Sequence, residues 1–228
     1  MGLFYYCHQI TDDTAIFDAH ETGHLKVMKK RKGEEVPFTD GLGNIYKGII
    51  TVLKKNETVI KIHEKREDLS HELTKHIEIT VGLSRWNRLS ILIEKAVELG
   101  VKRINLVSCE HSNYQKVNME KVEKTARKAL KQCGGTVLPD FNSFGSPKEA
   151  YTVGVVPVLL NPRSNRHVNK VEFPLKTNIF IGPEGGFTEG ELNAIKSLST
   201  QTLEITLGNR ILRLETAAIV AVGCISLS

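Results

Sequence analysis

Hydrophobic positions change their period partway along the chain. Residues 36–39 and 45–53 alternate apolar with polar, as half-buried strands do, and Asp40-Gly41-Leu42-Gly43-Asn44 supplies turn residues between them. Residues 58–63 predict another strand after the Lys55-Asn56-Glu57 turn. Short strands at hairpin spacing predict a small β-barrel. The stretch 64–75 is polar and lacks an apolar period, so it reads as a linker between domains at 1–70 and 71–228. Beyond it the pattern becomes strand 77–81, helix 87–99, strand 104–108, helix 118–132 and strand 153–160. In helix 87–99, Leu89, Leu92, Ile93, Ala96 and Val97 share one face and Gly100 is the stop. Alternating strands and helices imply a parallel sheet.

Near the C-terminus the pattern sharpens into two strand–loop–helix units. The short apolar run 178–181 reads as a buried parallel strand, followed by Gly182, Gly185 and Gly186, which allow close ligand approach. Thr188 and Glu191 have capping-box spacing, which starts a helix there. Residues 203–207 repeat the strand, Gly208 turns the chain, and residues 212–227 form an almost wholly apolar last helix. In open α/β sheets, ligands sit beyond the carboxyl ends of the strands, so these two loops line one pocket. The loop at 182–188 lacks the Lys and Ser or Thr of a Walker phosphate cradle, and no Gly-x-Gly-x-x-Gly follows a strand. With Glu184 inside it, this loop suits a small cationic or neutral ligand rather than a nucleoside phosphate.

The runs 181–192 and 207–218 resemble the second and third signature loops of the SPOUT methyltransferases, specifically the RsmE family, which methylates N3 of a uridine in 16S ribosomal RNA. Three further blocks carry the likeness over essentially the whole chain. Glu94-Lys95-Ala96-Val97-Glu98-Leu99-Gly100-Val101 resembles a family helix ending in Ala-Thr-Glu-Leu-Gly-Val. Ala129-Leu130-Lys131-Gln132-Cys133 sits where the family has Ala-x-x-Gln-Ser, and residues 210–217 match Arg-x-Leu-Arg-x-Glu-Thr-Ala. The resemblance implies a PUA-like β-barrel followed by an α/β SPOUT domain with a deep C-terminal trefoil knot. It implies S-adenosyl-L-methionine as cofactor, 16S ribosomal RNA or the small ribosomal subunit as partner, and a homodimer with sites built across two subunits.

It also assigns residues. Leu160 and Asn161 end the first knot strand. With Gly182, Pro183, Glu184 and Gly185 of one loop and Leu207 and Gly208 of the other, they would hold the methyl donor, while Leu212 and Thr216 close the pocket. Uridine N3 must approach anionic character before it attacks a methyl carbon. Arg213 would stabilise that charge, and Glu215 or Glu184 would accept the proton. An ion pair or cap at the helix start is the plain structural reading of Arg213 and Glu215. His24, Lys29, Lys30 and Arg31 in the first domain, and Arg85 and Arg88 beside Trp86 in the second, are candidates for RNA contact. Three positions depart from the family pattern: Lys29 replaces Arg, His111 replaces Arg in Glu-Arg-Ser, and Gly134-Gly135 fills a place often ending in Arg. Each removes a guanidinium fork. A ribose 2′-O-methyltransferase of the same superfamily is the alternative enzyme, but its Asn-to-Arg first motif is not found. A non-catalytic RNA-binding protein is the third reading, against which the intact loops argue.

Composition adds boundaries. The net charge is +5, with an excess in residues 71–150 (13 basic, 9 acidic) and a cluster at Lys26, Lys29, Lys30, Arg31 and Lys32. A helix end accounts for the cluster by itself; together with the excess it supports an RNA backbone footprint. No apolar run reaches the ~18 residues of a membrane span. The start of the chain lacks a basic region and a long apolar core, and Cys7, Cys109, Cys133 and Cys224 form no close pair, which predicts a reduced, cytoplasmic protein. His20-Glu21-Thr22-Gly23-His24 spells a zinc-protease string. Gly23 inside the helix, the missing third ligand and the basic cluster that follows argue against it, and no metal is expected.

Overall fold

The computed structural model describes residues 5–228, so the sequence reading of residues 1–4 lies outside it. The chain forms two compact units: Met1–Glu72 with Arg127–Leu138, and Leu73–Ala126 with Pro139–Ser228.

The first unit holds β1 (Tyr5–Tyr6), β2 (Ile10–Thr11), β3 (Thr14–Phe17), α1 (Ala19–Val27), β4 (Glu35–Thr39), β5 (Asn44–Leu53) and β6 (Thr58–Glu67). They make one six-stranded sheet in the order β1-β4-β5-β6-β3-β2, curled into half a barrel. Alternation along β4 and β5 buries Val36, Phe38, Tyr46 and Ile50. There Phe38 stacks on Tyr46 at 5.1 Å and meets Phe17 edge-on at 5.4 Å. β6 runs four residues beyond its predicted end, taking Glu64 to Glu67 from the expected linker. These residues pair with β5 at Asn44 to Lys47, and their side chains lie mostly in solvent, which is why they show no apolar period.

α1 carries the His-Glu-x-x-His string. Asp18 caps it, accepting from Glu21 N at 2.8 Å. It ends in a Schellman turn in which Lys30 N donates to Leu25 O and Lys29 N to Lys26 O, with Lys29 at φ 56° where glycine is usual. The cluster of lysines is thus partly a helix terminus.

The second unit holds β7 (His76–Gly82), α2 (Trp86–Glu98), β8 (Arg103–Val107), the first half of α3 (Met119–Cys133), β9 (Asp140–Phe144), β10 (Val156–Leu160), β11 (Lys176–Ile181), α4 (Glu189–Lys196), β12 (Leu203–Ile205) and α5 (Leu214–Leu227). The strands pair in parallel in the order β12-β10-β11-β7-β8-β9. α2 buries the predicted Leu89, Leu92, Ile93, Ala96 and Val97 and ends at Gly100, φ 76°. A polar ladder crosses four adjacent strands, three of them buried: Asn142 Nδ2 donates to Asn105 Oδ1, Asn105 Nδ2 to Thr80 Oγ1, and Thr80 Oγ1 to Asn178 Oδ1. Each link satisfies a group that would be costly to bury alone.

The later half of α3 belongs to the first unit. There Lys131 Nζ reaches Glu21 Oε1, both side chains being almost wholly buried (7% and 6% exposed). Glu21, the base of the hypothetical zinc string, is therefore committed to a buried ion pair. β10 begins at Val156 rather than 153, since Val153 is 88% exposed. β12 stops at Ile205, and α5 starts at Leu214 rather than 212, which leaves residues 206–213 as a long loop.

Candidate active site

β10, β11 and β12 are adjacent strands, and the loops that leave their carboxyl ends line one cleft of about 1140 Å³. Leu160 and Asn161 come from the first loop, Gly182, Pro183, Glu184 and Gly185 from the second, and Leu207, Gly208, Leu212 and Arg213 from the third. These ten predicted residues, with Arg88 of α2, meet in one place. Glu215 and Thr216 do not line it. Glu215 is buried in the first turn of α5, where its Oε2 has no hydrogen-bond partner, while Thr216 faces solvent.

The second loop is held from several sides. Gly82 at the end of β7 lies so close that a Cβ would stand 2.6 Å from Pro183 N. Arg88 Nη1 meets Glu184 Oε1 at 3.0 Å, and Ser84 Oγ donates to the same oxygen at 3.1 Å. Glu184 is thereby held by a guanidinium and a hydroxyl, so its carboxylate braces the loop. Behind the loop, His111 Nδ1 pairs with Gly185 O at 3.1 Å, and a Cβ on Gly185 would come within 2.8 Å of His111 Cβ. The predicted capping box is present: Thr188 Oγ1 accepts from Glu191 N and Glu191 Oε2 from Thr188 N, while Glu191 Oε1 accepts from Glu110 N. Burial, with Glu191 nearby, pushes the Cys109 thiol up to about 12.

The first and third loops are joined to each other. Glu204 of β12 accepts from Asn161 Nδ2 at 2.5 Å and pairs with Lys196 Nζ at 2.9 Å. Burial alone would raise its pKa; these two bonds outweigh that and hold the carboxyl below its ordinary value. The sequence reading omitted Glu204, Lys196, Arg163 and His111 as site residues. Only His111 carried a signal, as a departure from the family block.

The candidate RNA contacts fall in both units. In the first, His24 packs its ring on Tyr5 at 5.0 Å, and burial, then Lys131, lowers its pKa. Lys29 and Arg31 are exposed, and Lys30 lies 3.5 Å from Glu34. In the second, Arg85 is exposed, and Trp86 carries Lys121 Nζ over its ring at 4.3 Å. The described residues contain no group of three or more His, Cys, Asp or Glu arranged to hold a metal ion, and no helix long and apolar enough to cross a membrane.

Residues 71–226 match the family model of the RNA methyltransferase domain, and residues 17–62 that of the RNA methyltransferase PUA domain. Fold and site together thus define an RNA methyltransferase with an N-terminal PUA-type module. A Thermotoga maritima protein described as a predicted RNA methyltransferase superposes with TM-score 0.81 at 31% identity, over 98% of this chain and 97% of its own. Ribosomal RNA small subunit methyltransferase E of Buchnera aphidicola is 28% identical, over 76% of this chain and 71% of its own. The enzyme of that name from Neisseria gonorrhoeae, crystallised with S-adenosyl methionine, shares the fold with TM-score 0.88 at 23% identity, over 100% and 98%. The chain belongs to this family of RNA methyltransferases, several of whose curated relatives carry the name ribosomal RNA small subunit methyltransferase E.

Proposed function

We propose that this chain transfers a methyl group from S-adenosyl-L-methionine to N3 of a uridine in 16S ribosomal RNA of the small subunit, as a cytoplasmic homodimer. The observation that carries the reading is the convergence of the loops after β10, β11 and β12 on one cleft in a chain of this family.

The residues present fit the donor. Gly186, at φ 73°, would have nothing within 4 Å of a Cβ, and at Gly208 a Cβ would meet only His167 Nε2, at 3.8 Å. Both glycines present bare backbone on which a flat ring can lie closely. Leu160, Ile181, Leu207 and Ala217 supply apolar wall, and the open cleft is large enough to admit a small molecule. When bound, the donor supplies a methyl group on a positively charged sulfur, an electrophile for the uridine nitrogen.

Arg213 precedes α5, is exposed to the cleft and makes no ion pair among the described residues. Its guanidinium is free to meet a uracil oxygen as negative charge develops. For the proton of N3, Glu215 and Glu184 remain the two carboxylates in question: Glu184 lines the cleft but is paired with Arg88, and Glu215 keeps an unpartnered oxygen but is buried outside the cleft lining. A homodimer accords with Val220, Cys224 and Leu227, which expose one stripe of the apolar α5 (Leu227 89% exposed). The deep trefoil knot and the division at about residue 70 belong to the same reading.

The test is methylation of small ribosomal subunits with labelled donor, followed by nucleoside mass spectrometry. The expected product is 3-methyluridine, and Arg213→Ala folds normally yet loses methylation by roughly 10²–10³-fold, the cost of removing one donor to a developing anion. Absence of 3-methyluridine with wild-type protein, or near-normal activity of Arg213→Ala, would refute the corresponding assignment.

A further inference from the structure

The segment that follows β10 is bonded to β12 along its length. Asn161 N donates to Ile205 O, Ser164 Oγ to Glu204 O, Thr206 N to Arg166 O, and Val168 N to Thr206 O, all at 2.8–2.9 Å. Within the segment Asn161 Oδ1 accepts from Arg163 N at 3.0 Å, closing a turn that presents Arg163 at the cleft. The backbone under this exposed side chain is thus already ordered.

Charges around the cleft divide into two kinds. Arg88 is matched by Glu184 and Lys196 by Glu204. Arg163, Arg210 and Arg213 line the same cleft, and none has a carboxylate within ion-pair distance among the described residues. The methyl donor brings a single carboxylate, beside an ammonium and a sulfonium, so it can answer at most one of three guanidiniums. The surplus suits a polyanion, and the planar fork of arginine fits two phosphate oxygens at once.

We propose that Arg163 and Arg210 hold backbone phosphates of the RNA nucleotides flanking the target base, which leaves Arg213 for the base itself. This rests on the RNA-methylating function proposed above. Ordering the loop before RNA arrives lowers the entropic cost of the contact.

Equilibrium binding of transcribed 16S ribosomal RNA, measured from about 50 to 200 mM salt, tests it, because each phosphate contact contributes roughly 0.7–0.9 to the slope of log K against log salt. Arg163→Gln is expected to lower the wild-type slope by roughly 0.7–0.9 and Arg163→Gln/Arg210→Gln by about twice that, whereas Arg163→Lys retains it. Calorimetry with S-adenosylhomocysteine should return the same affinity for wild type and Arg163→Gln. An unchanged slope in Arg163→Gln overturns the phosphate assignment, as does a loss confined to S-adenosylhomocysteine affinity, which would place the donor's carboxylate there. Wild-type protein without salt-dependent RNA binding would overturn the proposed function itself, a result distinguishable from either.

Discussion

At the end of β7, Gly82 leaves no room for a side chain. A Cβ there would stand 2.5 Å from Pro183 Cδ and 2.6 Å from Pro183 N, against 3.4 Å for ordinary contact. Because one of these atoms is backbone, Gly82→Ala cannot be relieved by a rotamer change. Pro183 must retreat by roughly 0.8 Å, carrying Glu184 and Gly185 with it and pulling on the Arg88 and His111 contacts. Overpacking of this kind costs about 1–3 kcal/mol, or roughly 2–12 °C in melting temperature for a chain of this size. A displacement near 1 Å at a reacting centre costs up to about 10²-fold in rate. Methylation efficiency should therefore fall roughly 10- to 100-fold, with a parallel loss of S-adenosylhomocysteine affinity by calorimetry. Gly190→Ala on α4 is the control. Its Cβ would meet nothing nearer than Thr188 Oγ1 at 3.7 Å, and the change should be neutral or stabilise by up to about 1 kcal/mol. The reasoning fails if Gly82→Ala, measured well below its melting point, binds and methylates like wild type.

Lys131→Met should destabilise the protein by about 3–5 kcal/mol in urea unfolding, since it strands the buried carboxylate of Glu21. Glu21→Gln/Lys131→Met should recover most of that loss, and a double variant no better than the single one would contradict the pairing. Glu204 has a folded pKa below its unfolded value of about 4.5, so its stabilisation is complete above that value and is lost as pH falls through the folded one. Glu204→Gln should accordingly flatten the fall in stability between about pH 5 and 3; an unaltered acid limb in chemical unfolding would count against the Asn161 and Lys196 bonds.

Period and punctuation made much of the second unit readable. The five apolar positions of α2, the stop at Gly100 and the capping box at Thr188 are local signals, and all three occur in the structure. Elements without a local signature went unread. β9 is an edge strand whose residues are only partly buried, so its sequence never alternates. The end of β6 faces solvent on both sides and looked like a linker. The Schellman turn after α1 uses Lys29 in place of glycine, which removed the usual stop sign. At the candidate site, glycines and motif residues could be named because their spacing is linear. Glu204 meets Asn161 only when β12 pairs with β10, and no linear pattern records that pairing.

The ion pair between α1 and the far half of α3 also governs how this chain can be taken apart. A fragment cut after Glu72 would keep the whole curled sheet yet take Lys131 away from the buried carboxylate of Glu21, leaving it only Tyr6 N and the imidazoles of His20 and His24. It would also lose Thr136, whose hydroxyl donates to Asp68 O and whose amide donates to Glu72. The amino-terminal module is therefore not a cassette that can be excised or transplanted as one continuous piece. Grafting it onto another scaffold would require carrying the distant strip 127–138 along with it.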